Sequence, residues 1–322
     1  MRRKLRSPLP QRDGLDPVRL HLPTDGRWAT VRDFLVERIP KLAEDRIDEM
    51  LRAGRFVTQD GPLAHESPYR PGSFVWFHRD VTPETPVPFE LEVLHRDEEI
   101  LVVDKPHFLA TTPRGGHITE TALIRLRRQL DLPDLSPAHR LDRATAGLVL
   151  FVVDPALRGA YQALFQDRRV GKTYEAIAGY DPELALPRTV RSRITKHRGV
   201  LAAVEEPGAP NAETRVELLE RRGDLARYRL LPRTGRTHQL RVHLNSLGLP
   251  IVGDDLYPEV REKSPDDFTN PLQLLARSLE FTDPTTGEHR HFHSHRQLHW
   301  PETRPTTEDP PHPTPREGTS GS

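Results

Sequence analysis

Cysteine is absent from all 322 residues. That excludes disulfides and thiolate metal sites and agrees with a reducing cytoplasm. Net charge is absent too: 47 Lys and Arg balance 47 Asp and Glu, so the whole chain does not announce a nucleic-acid partner. Apolar runs are short. None is long enough to span a bilayer, and the basic start MRRKLRSPLP lacks the apolar stretch of a secretory leader. These absences leave a polar, globular, cytoplasmic protein with enough chain for one large domain or two smaller ones.

What is present is unevenly distributed. RTVRSRITKHR (188–198) and RTGRTHQLRVH (233–243) carry Arg, Lys and His without a single acid. Either segment is a solvated face or part of a positive field that the neutral total conceals. If they bind a polyanion, both should line one face, with the acids elsewhere.

Periodicity divides the chain. Residues 1–24 read as a flexible arm. In residues 25–80, TVRDFLVERIP puts Val31, Phe34, Leu35 and Ile39 on one helical face, EDRIDEMLRAG follows and stops at Gly54, and two β-rich pieces complete a small module. Residues 81–88 include TPETPVP and read as a linker. Residues 89–300 are mostly strand-like, with helical periodicity at 119–130, 155–167 and 236–248. Strands outnumber helices and do not alternate strictly with them, so the fold class is α+β with a mainly antiparallel sheet. The last stretch, 301–322, is rich in Pro, Thr and Ser and reads as disordered.

One short string is chemically odd. AHRLDRATAGLVLF (138–151) sets one acid, Asp142, among His139, Arg140 and Arg143, directly before an all-apolar strand. A carboxylate at the mouth of a core strand needs a cationic or hydrogen-bonding partner to stay ionised. From spacing alone it caps a turn and pairs with its neighbour, or it is a reactive group held on a loop.

HRLDRATAGLVLF resembles the HRLDxxTSGL signature of the RluA-type pseudouridine synthases. Further segments resemble that family in its order: LVVDKP (101–106) with PRGG (113–116), GKTYEAIAGY (171–180), and PRTGRTHQLRVHLNSLGLPIVGDDLY (232–257). Two departures stand out: Ala146 replaces the usual Ser, and Leu275 stands where His usually precedes Ala276. The resemblance implies a mixed-sheet catalytic domain that isomerises uridine in rRNA or tRNA, with no cofactor and no metal. It assigns Asp142 as the essential carboxylate, Arg241 as its cationic partner and Tyr174 as the ring that holds the freed uracil and whose hydroxyl helps remove the C5 proton. Arg140 matches the arginine that enters the RNA stack as the target base leaves. His139, Arg236, Arg191 and Arg193 are expected to touch RNA, Arg236 by adding charge to a helix N-terminus.

Without the resemblance, Tyr174 reads as a core aromatic on an alternating strand and Arg241 as a solvated arginine. Residues 25–80, through VRDFLVERIP, IDEMLRAGRFV and YRPGSFV, resemble the small αL RNA-binding module shared by a ribosomal protein and many pseudouridine synthases. Glu44 and Asp45 stand where that module commonly has basic or hydroxyl residues. The partner is therefore RNA, with no membrane, and the chain is expected to be a monomer. The rival reading is a non-catalytic RNA-binding protein on the same scaffold. A metal-dependent glycosidic hydrolase lacks the second carboxylate or metal cluster near Asp142 that it needs. HRHFHSH sets His289, His291, His293 and His295 on one strand face, a zinc pattern in principle. Phe292 pointing into the core would leave those histidines in solvent.

Overall fold

The apolar run after Asp142 forms a strand with no exposed residue, Ala146–Val152, and the larger sheet is built around it. The computed structural model describes residues 6–264 and 266–301; the tail expected to be disordered lies, apart from Pro301, outside the described residues.

The small module holds strands β1 (Val18–His21), β2 (Val57–Thr58), β3 (Gly61–Pro62) and β4 (Phe74–Phe77) in the order β1-β4-β2-β3. Two helices, α1 (Val31–Arg38) and α2 (Glu44–Arg52), pack on this sheet through Phe34, Leu35, Ile47 and Met50. Thr30 and Asp33 form a capping box at the start of α1, satisfying donors the helix leaves open. Gly54, at φ +64°, turns the chain out of α2 as its place in the sequence predicts.

The expected arm at 1–24 needs correcting. Val18–His21 pairs antiparallel with β4, and its alternate burial shows a period of two hidden in only four residues. Just before it, Arg127 donates to the carbonyl of Gly14 and to Asp16, and Arg128 donates to the carbonyl of Asp13. The 81–88 stretch is docked as well. The Glu84 carboxylate accepts from the backbone N–H groups of Ile118, Thr119 and Glu120, and Val87 is buried.

The remaining strands are β5 (Glu92–Arg96), β6 (Ile100–Lys105), β7 (Ser136–Pro137), β8 (Ala146–Val152), β9 (Gly171–Gly179), β10 (Arg188–Thr195), β11 (Val204–Glu206), β12 (Ala212–Arg222), β13 (Leu225–Pro232), β14 (Leu274–Thr282) and β15 (His289–His293). They make one eleven-stranded sheet in the order β11-β10-β12-β13-β9-β14-β8-β6-β5, with β15 beside β14 and β7 beside β8. Among its pairings only β14 with β8 is parallel, so the sheet is mixed and mainly antiparallel, and the fold is α+β as expected. Helices α3 (Ala122–Leu130), α4 (Arg158–Gln166) and α5 (Gln239–Ser246) cover it. No helix among the described residues is long and apolar enough to cross a membrane.

The centre of the sheet positions the chemistry. Ala276 on β14 pairs with Gly147 of β8 on one side and with Tyr174 of β9 on the other. Gly147 has φ +110°, and a Cβ there would lie 2.3 Å from the carbonyl oxygen of Ala276. Only glycine meets both conditions.

Gly147→Ala should therefore destabilise the protein by at least about 3 kcal/mol, since strained backbone and a backbone clash add. Urea denaturation of the variant checks this, and a loss below about 1 kcal/mol would contradict the close approach.

Candidate active site

Loop 138–145 brings Asp142 out of the core, and three side chains fix its path. Thr111 Oγ1 donates to the carbonyl of Leu141 (2.8 Å) and accepts from its N–H (3.1 Å). His107 Nδ1 bonds the carbonyl of Ala144 at 2.8 Å. Lys105, at 0% exposure and with its pKa pushed down to about 7 by burial, sends its Nζ to the carbonyls of Pro106 (2.9 Å), Leu109 (2.8 Å) and Arg143 (3.4 Å). A turn closes the loop, with Thr145 N–H donating to the Asp142 carbonyl at 3.1 Å.

Asp142 opens into a cleft of about 830 Å³. Arg114, Arg140, Arg143, Arg168, Lys172, Arg233, Arg236 and Arg241 line it, and Asp142 is the one carboxylate among them. A chain with no net charge thus concentrates cations around a single acid. Arg140 and Arg236 make no ion pair among the described residues; Arg236 Nε donates to the carbonyl of Asn211.

Tyr174 packs between two core clusters and lines the same cleft. Burial, and then the charge of Asp142, hold its hydroxyl protonated far above the usual tyrosine range. The reading of Tyr174 as a core aromatic and its reading as a site ring describe one position: it is packed from behind and faces the cleft.

Arg241 is not the solvated residue its helix pattern implied. It is 3% exposed, and its guanidinium binds Asp254 (2.8 and 2.5 Å) and Asp255 (2.8 Å). Burial works against its charge, but those carboxylates, with Asp142 contributing more weakly, keep it firmly protonated. Its direct partners are therefore Asp254 and Asp255, and Asp142 feels its field across the cleft. Asp254 stands in the GDDLY that ends the family-like segment, where it was given no role, yet a local signal existed. The carboxylate also accepts from the N–H groups of Leu256 and Tyr257, the turn that Asp favours.

Four other expectations change. Arg236 does not begin a helix: α5 starts at Gln239, whose side chain accepts from Arg236 N–H and Thr234 Oγ1 and so holds 234–236 as a turn. His139 lines the cleft but is no cation for phosphate. Its Nε2 accepts from Leu150 N–H (3.1 Å), its ring stacks on Phe165 at 4.3 Å, and burial pushes its pKa down to about 3. Arg191 and Arg193 lie on β10 outside the cleft lining. The acids are not elsewhere: β10 runs between β11 and β12, which set Glu206 opposite Arg193 and Glu213 opposite Arg191, the latter ion-paired at 2.9 Å. Segment 233–243, by contrast, does border the cleft.

On β15, Phe292 packs inward while His289, His291 and His293 are exposed; His295, just past the strand, is exposed too. Among the described residues no three His, Cys, Asp or Glu side chains gather where a metal could sit. The Ala146 and Leu275 departures pair with one another in the buried centre of the sheet.

Comparison with known proteins identifies the family. A family profile described as RNA pseudouridylate synthase matches residues 99–246. The dual-specificity RNA pseudouridine synthase RluA of Escherichia coli O6:H1 is 36% identical over 208 residues, 63% of this chain and 91% of that protein. Ribosomal large subunit pseudouridine synthase D of Neisseria meningitidis serogroup A is 28% identical over 287 residues, 84% of this chain and 76% of that one. Among solved structures, human RNA Pseudouridylate Synthase Domain Containing 1 superposes with a TM-score of 0.52 at 28% identity, covering 66% of this chain and 86% of its own. The chain belongs to the RNA pseudouridylate synthase family, in its RluA-type branch. It is an enzyme that isomerises uridine in RNA to pseudouridine.

The buried neutral His139 generates an acid-stability prediction. Its pKa falls from 6.5 to about 3 in the folded protein, so the unfolded chain binds a proton across that window and the folded one does not. Stability should decline as pH drops from about 6.5 towards 3. In His139→Gln the decline should be shallower, measured by urea denaturation at stepped pH; an unchanged slope would contradict the assignment.

Proposed function

We propose that Asp142 is the carboxylate on which the isomerisation depends, and that the substrate is a uridine in structured rRNA or tRNA. The observation that carries this reading is the cleft itself, one acid among eight basic side chains with an aromatic ring beside it. Breaking the bond between ribose C1′ and uracil N1 needs an oxygen nucleophile or base at the ribose, and an unprotonated carboxylate serves as either. The freed uracil must be retained while it turns, and the Tyr174 face offers stacking without fixed pairing. The chemistry asks nothing of a metal or a redox cofactor. Since RNA is the substrate, the working place is the cytoplasm.

Residues 18–80 are the proposed RNA-binding module, held against the catalytic domain by segments 11–16 and 84–87. In it Arg32 pairs with Asp48 and Glu44, and Arg46 and Arg55 both pair with Asp80, while Arg38 and Arg52 make no ion pair among the described residues. The module is an auxiliary contact, and the cleft, with eight basic side chains to one acid, supplies the main electrostatic attraction. RNA enters over Arg140 and Arg236, whose guanidinium groups lack carboxylate partners and are open to phosphate.

Asp142→Asn keeps the volume and removes the charge. It should abolish pseudouridine formation in single-turnover assays while RNA affinity and thermal stability stay close to wild type. Turnover within tenfold of wild type would rule Asp142 out as the essential group.

Salt dependence separates the cleft from the β10 face. Each phosphate contact contributes about 0.7 to 0.9 log units of affinity per decade of salt. The double variant Arg140→Gln with Arg236→Gln should flatten that slope by roughly one to two contacts. Arg191→Gln with Arg193→Gln should leave the slope nearly unchanged, because Glu213 and Glu206 already offset those charges. The opposite pattern would place the RNA on β10.

A further inference from the structure

Isomerisation removes one proton from C5 of uracil and returns one to N1, so some group must take the first. Tyr174 is a poor acceptor, because burial and Asp142 keep its hydroxyl protonated. Asp142 is committed to the ribose in the reading above, on which this inference rests. The arginines along the cleft carry no accessible lone pair in their charged form. Lys172, though burial lowers its pKa, is turned to the carbonyl of Thr234 (3.4 Å). That leaves the lining histidines: His117, His139 and His238. His139 accepts a backbone N–H at Nε2, so its other nitrogen holds the proton and no lone pair remains. The charges acting on His117 are Arg143 and Glu84, not Asp142.

His238 differs in every respect. It sits just before α5 with φ +57°, a left-handed conformation that strains a residue with a Cβ. Its ring Nδ1 lies 3.0 Å from the Tyr257 hydroxyl, which also donates to the carbonyl of Ala203 (2.8 Å) and accepts from its N–H (2.8 Å). A tyrosine hydroxyl has one proton, and the carbonyl needs it, so His238 Nδ1 is the donor in their shared bond. The lone pair is thereby assigned to Nε2. Nε2 makes no hydrogen bond among the described residues and is not sealed off from solvent. The charges that act on the ring are Asp142, Arg241, Asp254 and Lys196. Burial, outweighing the pull of Asp142, keeps the imidazole neutral at neutral pH.

We propose that His238 is the base that takes the C5 proton of uracil, through Nε2, once the base has been rejoined to ribose. In that step C5 is already bonded to C1′ and still carries its hydrogen. The C5–H bond breaks, its electron pair forms the C5–C6 double bond, the C6–N1 double bond of the C5-linked intermediate gives its pair to N1, and the proton moves to Nε2. The resulting imidazolium returns a proton to N1, directly or through water, which closes the balance with no other reactant. The Tyr257 hydroxyl, fixed by the Ala203 backbone, keeps Nδ1 a donor throughout, so that only Nε2 gains and loses the proton.

The left-handed backbone provides the test, because glycine adopts it freely and His238→Gly leaves a hole that imidazole fits. The probe is total RNA from a strain lacking this gene, grown on 5-tritiated uracil, with tritium release as the readout. His238→Gly should bind RNA within about threefold of wild type and release tritium about 10²–10⁴-fold more slowly. Added imidazole should restore release at least about tenfold, in proportion to its free-base fraction as pH is varied. Release within about threefold of wild type, or a loss that imidazole does not reverse, overturns the proposal. Asp142→Asn should stay inactive with or without imidazole. An active Asp142→Asn beside an imidazole-rescued His238→Gly would sink the reading of Asp142 and leave that of His238 standing.

Discussion

The close approach of β8 to β14 is the constraint on which the site depends. All seven residues of β8 are buried, so the strand has one place in the sheet, and its first residues decide where loop 138–145 emerges. Gly147 lets the Ala276 backbone come within a distance no Cβ allows. The same Ala276 pairs with Tyr174 on its other side. The acid and the ring thus inherit their separation from backbone registers in the buried centre of the sheet. Lys105, Thr111 and His107 then bind the loop from beneath through its carbonyls and one N–H. The reacting group rides on a loop, but that loop is tied down at nearly every peptide.

Charge is arranged on the same principle of local surplus against global balance. Acids sit where they neutralise: Glu213 against Arg191 of β10, Asp48 and Asp80 in the small module, Asp254 and Asp255 on Arg241. The cleft lining holds eight basic side chains to one acid. Arg241 shows how far this goes. Breaking a buried ion pair by removing one partner costs about 3–5 kcal/mol, so Arg241 ties α5 to the 254–257 turn as firmly as it supplies field to Asp142. The two functions share one side chain.

Much of this was legible in the sequence. Apolar strands, the α1 and α2 faces and the Gly54 stop follow from period and punctuation, and Asp142 announced itself by standing alone among cations before a core strand. β1 was missed because four residues in a Pro- and Arg-rich context give a period-two signal too short to read. The start of α5 was misplaced because Gln239 holds Thr234 and Arg236 in a turn by side-chain bonds that periodicity does not register. The pairing of Arg191 with Glu213 joins residues far apart in sequence, so an acid-free segment became a charge-balanced strand. His238 lay inside the family-like segment 232–257 but drew no role of its own, since its availability depends on Tyr257 and on a positive φ. Pattern reveals what repeats, while tautomers, buried pairs and close approaches depend on partners that only the fold brings together.

The account stands or falls on whether this cleft modifies RNA in the cell. Pseudouridines should be mapped at nucleotide resolution in total RNA from cells with and without the gene. The account predicts that one or a few discrete rRNA or tRNA positions lose pseudouridine in its absence and regain it when the gene is restored. Identical maps from the two strains would contradict it.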